Sequence, residues 1–102
     1  RLVVVFDDLD LPMGVMRVRM EGGSGGQKGM MSVIDQLDSR AIPRIRVGID
    51  RPPGRMGAAD YVLKPFSGQQ SEVIANMLPL VADAIETVVR EGIVTAMDKF
   101  NS

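Results

Sequence analysis

Leu2-Val3-Val4-Val5-Phe6-Asp7-Asp8-Leu9-Asp10-Leu11-Pro12 is the stretch whose reading decides the fold of this chain. It opens on β-branched and aromatic residues with no polar break, the pattern of a strand buried on both faces. Three carboxylates, Asp7, Asp8 and Asp10, then stand at the carboxyl end of that strand. In open α/β sheets this is the edge where ligand sites are built. Burial and neighbouring charge can tune a carboxylate there for proton transfer. The plainer alternative is that the acids open a solvated turn ahead of Pro12.

The rest of the composition narrows the options. At 102 residues and 45% hydrophobic content, the chain has the size and character of one small globular domain. A domain this short buries a modest share of its surface and has little stability in reserve. With no cysteine, disulfides and thiolate metal sites are excluded, which suits a reducing compartment. With no histidine, the side chain most often used as a general base near neutral pH is missing. No apolar run reaches the length of a membrane span, and no signal-peptide pattern opens the chain. Arg1 leads straight into the strand without a methionine or polar leader, so the start reads as cut from something longer.

A net charge of −1 conceals an asymmetry. Between Arg17 and Arg55 there are eight basic residues against four acids, and the remaining acids flank that stretch. A basic middle between acidic ends points to a local anionic partner, with nucleic acid or a phosphate-bearing ligand the natural candidate. Scattered arginines on a solvated surface are the ordinary alternative.

Periodicity divides the chain into five or six elements. Val15 to Met20 alternates apolar and basic residues, placing Met16 and Val18 towards a core and Arg17 and Arg19 together on the other face. The loop Gly22-Gly23-Ser24-Gly25-Gly26-Gln27-Lys28-Gly29 follows. A helix from about Met30 to Leu37 comes next, closed by Asp38 and Ser39. Arg44-Ile45-Arg46-Val47-Gly48-Ile49 again alternates basic and apolar residues and reads as a third strand. A stiff loop over Arg51-Pro52-Pro53-Gly54-Arg55-Met56 leads to Ala58–Leu63 and a turn at Lys64-Pro65-Phe66. From about Gly68 to Glu91 the pattern Val73, Ile74, Met77, Leu78, Val81, Ala84, Ile85, Val88, Val89 predicts a long amphipathic helix that Pro79 kinks or divides. Gly92 stops it, and Ile93 to Phe100 reads as one more short helix. The methionines, eight in all, read as core and gap-filling residues.

The glycine loop is the second chemical feature. Five glycines in eight residues leave backbone N–H groups unobstructed and allow close approach to a ligand. Ahead of a helix N-terminus, such a loop can hold a phosphate or carboxylate through its amides and the helix dipole. It is neither a Walker loop, since Gly29 follows Lys28, nor a dinucleotide fingerprint. Taken as a bare pattern, a glycine-rich turn is more often structural.

Together these segments resemble bacterial-type peptidyl-tRNA hydrolase. The resemblance rests on Asp7-Asp8-Leu9-Asp10-Leu11-Pro12 with Gly14, the loop Gly22 to Gly29, Arg44 to Ile49 with Arg51 to Met56, and the tail Gly92-Ile93 through Lys99-Phe100-Asn101. It covers essentially the whole chain but only the C-terminal part of that enzyme, so residues 1–102 are expected to be the C-terminal portion of a single domain. The implied fold is α/β, a mixed twisted sheet flanked by helices. The implied activity is hydrolysis of the ester linking a nascent peptide to the 3′ end of tRNA, with peptidyl-tRNA as partner, no cofactor and no metal.

By the same resemblance, Asp7 matches the aspartate that orients and polarises a catalytic histidine. Arg19 and Arg46 match the two basic positions that clamp the tRNA 5′-phosphate, a contact that positions nucleic acid without reading its sequence. Gly25, Gly26, Gln27 and Lys28 match the segment bordering the peptide and the 3′ terminus. The loop from Pro52 onward resembles a mobile lid. The chain departs from the family at several points. The catalytic histidine and the asparagines of the N-terminal half have no counterpart. Gln27-Lys28 stands where the family usually has His-Asn, and Lys28 cannot accept a hydrogen bond from water. Asp50 replaces a common glycine and adds an acid near the clamp.

Three readings follow: a fragment of an active hydrolase, a non-catalytic RNA-binding relative similar to plant organelle splicing factors, or an inert α/β piece. The first is expected, in a monomer of the cytoplasm or an organelle stroma or matrix, inactive as the fragment alone. Lys28 favours the second reading and Asp7 opposes it.

Overall fold

The structure is a computed structural model and describes residues 2–25, 27–50 and 68–101. The predicted loop and elements between Arg51 and Phe66, the lid among them, lie outside the described residues, as does Gly26. In chain order the elements are strands β1 (Val4–Asp8) and β2 (Met16–Arg19), helix α1 (Lys28–Leu37), strand β3 (Arg44–Gly48), and helices α2 (Gly68–Glu91) and α3 (Ile93–Phe100). The sheet is mixed, as predicted. Its order is β1-β3-β2, with β1 parallel and β2 antiparallel to β3.

The first strand departs from the expectation of burial on both faces. It is an edge of the described sheet, and Val5 is 42% exposed. Composition registers a preference for extended backbone and not the number of neighbouring strands, so the apolar run could not tell an edge from a centre. The strand also reaches further than expected. Asp7 and Asp8 belong to the ladder, paired with Val47 and Gly48, and only Asp10 lies beyond it in the turn.

The core forms where β2 and β3 meet the two C-terminal helices, from Met16, Val18, Ile45, Met77, Ala84, Val88 and Ala96. Alternation along β2 is as predicted, with Met16 and Val18 buried between half-buried arginines. The methionine reading holds for Met16, Met30 and Met77, whereas Met20 and Met31 are exposed. Helix α2 is a single element with Pro79 inside it, so the proline does not divide it. Its apolar positions split into two stripes. Met77, Ala84 and Val88 face the core, while Leu78, Ile85 and Val89 are exposed, so the amphipathic pattern overstated the buried face.

Two local features fix how the elements meet. Gly48 ends β3 where the Leu11-Pro12 backbone crosses it, and a Cβ there would run into the Pro12 carbonyl. At the other edge, the Asn101 side chain lies against β2 like a short extra strand. Its Oδ1 accepts from the Val18 N–H at 2.7 Å and its Nδ2 donates to the Val18 carbonyl at 2.8 Å. Val18 is fully buried, so losing this partner strands two backbone groups. Asn101→Ala is expected to lower stability by about 1–3 kcal/mol, read as a fall in the urea midpoint at unchanged slope.

Candidate nucleic-acid and catalytic site

Strand pairing places the arginines. In an antiparallel ladder, residues directly opposite each other share a face. Arg17 stands opposite Arg46 and Arg19 opposite Arg44, so all four arginines lie on one face of the sheet. Arg19 and Arg46, the predicted clamp, are diagonal neighbours there. The core packs on the other face, around Val18 and Ile45.

Like charges directly opposite are unfavourable, and the four arginines resolve this in different ways. Arg46 donates from Nε to Asp8 Oδ2 at 2.5 Å. Asp8 is itself buried, and its Oδ1 accepts from the Asp10 N–H at 2.7 Å. Arg17 and Arg19 each fold back onto the carbonyl of the preceding residue, at 2.9 and 3.2 Å, and stay half-buried on the open face.

Arg44 turns inward. It is 2% exposed, and four backbone carbonyls receive its guanidinium. Nε donates to Ile42 at 2.9 Å, Nη1 to Gly22 and Gly23 at 2.9 and 2.6 Å, and Nη2 to Arg40 at 2.8 Å. Burial and the nearby Arg46 charge push its pKa below the usual arginine value, and Glu21 partly offsets them. Alternation in Arg44 to Ile49 places Arg44 on the basic face, and the structure adds that its side chain is buried there. Arg44 is a strut that ties the start of the glycine loop to the sheet.

Asp7 occupies the opposite face from Asp8 and Arg46, because neighbouring residues in a strand alternate. It pairs with Val47 at the carboxyl end of β1, next to the N-terminus of α1. Gln27 connects the two. Its Oε1 accepts from the Met30 N–H at 2.6 Å, capping α1, and its Nε2 donates to Asp7 Oδ1 at 3.4 Å. Helix α1 therefore begins at Lys28, earlier than the predicted Met30, because Gln27 serves as an N-cap. Lys28 itself is exposed, and among the described residues no ion pair joins it to Asp7. Gly25 sits in the exposed loop with φ 62°.

The structure thus unites Asp7 with Gln27, and Arg19 with Arg46 on a shared face, and it leaves Lys28 and Gly25 outside these contacts. Sequence reasoning passed over Asp8 as the partner of Arg46 and Arg44 as the strut of the loop. Only the register of β3 against its neighbours reveals either role. One signal was readable. Asp50, where the family commonly has glycine, adopts φ 63°, the left-handed conformation that glycine takes without strain. Among the described residues no cluster of acidic side chains could hold a metal ion.

Comparison with known proteins adds the context. The family model described as Peptidyl-tRNA hydrolase matches residues 1–102. Peptidyl-tRNA hydrolase of Carboxydothermus hydrogenoformans is 49% identical over 102 residues, covering 99% of this chain and 54% of its own. That of Chloroflexus aurantiacus is 46% identical over 100 residues, covering 98% of this chain and 53% of its own. The crystal structure of peptidyl-tRNA hydrolase from Acinetobacter baumannii superposes with a TM-score of 0.87 at 22% identity, over 98% of this chain and 50% of that one. This chain therefore spans about half the length of the curated relatives it matches.

Proposed function

Since the chain belongs to the peptidyl-tRNA hydrolase family, we propose that it supplies the acidic and phosphate-binding side of a site that cleaves peptidyl-tRNA. Asp7 orients and polarises a base carried outside these 102 residues. That base takes a proton from water, the resulting hydroxide attacks the ester carbonyl, and the carbon–oxygen bond to the tRNA ribose breaks. The ribose oxygen leaves with a proton, releasing peptide and tRNA. Gly25, Gly26 and Lys28 border the substrate, Gln27 lies between that loop and Asp7, and Arg19 and Arg46 hold the terminal phosphate.

The shared face of Arg19 and Arg46 is the observation that carries this reading. Asp8 engages Arg46 through Nε, and among the described residues the two terminal nitrogens of that guanidinium have no other partner, so a phosphate can take them. Replacing Arg19 with alanine is expected to weaken tRNA binding about equally across tRNA sequences. It should also lower the slope of log affinity against log salt by about one. A slope that did not move would remove Arg19 from the clamp. Among the described residues no helix is long and apolar enough to cross a membrane, and we infer a monomer working where translation occurs.

A further inference from the structure

Gln27 is where the structure says more than the resemblance does. A side-chain amide can be turned end for end, so which end faces Asp7 must be argued from its partners. At Gln27 the partners leave one arrangement. The Met30 N–H can only donate, so the atom 2.6 Å from it must be the oxygen, and the amide nitrogen is then the end turned to Asp7. The opposite orientation would set a nitrogen against an N–H and an oxygen against a carboxylate, losing both contacts.

Gly29 makes room for this arrangement. A Cβ at that position would stand 3.0 Å from Gln27 Oε1 and 3.4 Å from Nε2, so a side chain there would press on the amide. Glutamine is also an uncommon cap, since shorter Ser, Thr, Asp and Asn side chains reach the first amides with less lost freedom. Its extra length is what lets one amide cap the helix and touch the strand end at once.

We propose that Gln27 is a positioning residue for Asp7 and not a contact for the peptide. It joins the first turn of α1 to one oxygen of the carboxylate. The Asp7 rotamer is thereby fixed, and Oδ2 stays available to the base that Asp7 orients. This rests on the hydrolase reading above and refines the role of one residue within it.

Three substitutions in the protein extended to the length of its relatives separate the possibilities. Gln27→Asn keeps a good cap but is too short to reach Asp7. Gln27→Glu keeps the capping oxygen and turns a second carboxylate towards Asp7. Gln27→His retains a ring N–H that can reach the carboxylate. With KM for peptidyl-tRNA unchanged, kcat should fall about tenfold for asparagine, the low end for one hydrogen bond to a charged group. It should fall further for glutamate and return to within about threefold of the parent for histidine. Melting temperatures of the asparagine and glutamate variants should match the parent, because both keep the cap.

A raised KM at constant kcat would make Gln27 a substrate contact and overturn the proposal, as would full activity of the glutamate variant. Asp7→Asn run beside them tests the underlying reading. If that change left turnover intact, the hydrolase role of Asp7 would fail. If it crippled turnover while the Gln27 variants stayed active, only the positioning role would fail.

Discussion

Asp7→Asn is expected to lower kcat of the extended protein by about a hundredfold to ten-thousandfold, the range of a general acid–base contribution, with little change in tRNA affinity. The substitution preserves shape, and its oxygen can still accept the Gln27 amide N–H. What it removes is the negative charge that stabilises a protonated base, a need that arises only as the proton is transferred. An interaction present only in the transition state shows in kcat and in kcat/KM alike, leaving ground-state binding in place. Single-turnover hydrolysis and equilibrium binding measured on the same preparation separate the two effects. If both fell together, Asp7 would be a structural residue of β1. The 102 residues alone contain no histidine, so the segment by itself is expected to be silent in the same assay.

The second large effect is expected at Arg44. Arg44→Met keeps the length and apolar stem of the side chain but removes its donors to the carbonyls of Gly22, Gly23, Arg40 and Ile42. Each acceptor left dry costs about 1–3 kcal/mol, and water reaching the loop will recover part of that. A net loss of about 3 kcal/mol is a large share of the 5–15 kcal/mol typical of a small domain. The damage should be local first. The Gly22 N–H, bonded to the Arg40 carbonyl, should exchange with solvent faster than the amides of β3. Lysine is not expected to rescue, since an ammonium lacks the planar fork that serves carbonyls on three sides. A methionine variant as stable as the parent would mean that the carbonyls are readily hydrated and the strut is dispensable.

How much of this was legible in the sequence depends on whether a feature is local. The alternation of β2, the short helix Ile93–Phe100 and the stop at Gly92 are set by neighbours a few residues away, and they appear where periodicity put them. Even the shared face of Arg19 and Arg46 followed from alternation, once β2 and β3 were taken to be adjacent. What could not be read is what depends on register. Arg44 and Arg46 occupy equivalent places in one alternating strand, yet one is buried among carbonyls and the other pairs with Asp8. The difference comes from what stands beside each, the glycine loop and Arg40 at Arg44 and the end of β1 at Arg46, and no pattern within Arg44 to Gly48 encodes that. Likewise, Gln27 was grouped with the substrate-bordering residues because its loop was known by resemblance and its rotamer was not. The edge position of β1 in the described sheet was hidden for the same reason: strand order depends on every strand present.

The pairing of Asn101 with Val18 has a consequence for how the protein is made. The two residues are 83 positions apart, so the closing of β2 belongs to the slow, non-local class of contacts whose formation topology limits. During synthesis at about 5–20 residues per second, Val18 emerges roughly 4–17 s before the asparagine that covers it. Throughout that interval the Val18 N–H and carbonyl lack the partner that Asn101 gives them in the fold, and unpaired strand groups of this kind invite a neighbouring nascent chain. Translation speed across the α2 and α3 codons therefore sets how long Val18 waits for its partner.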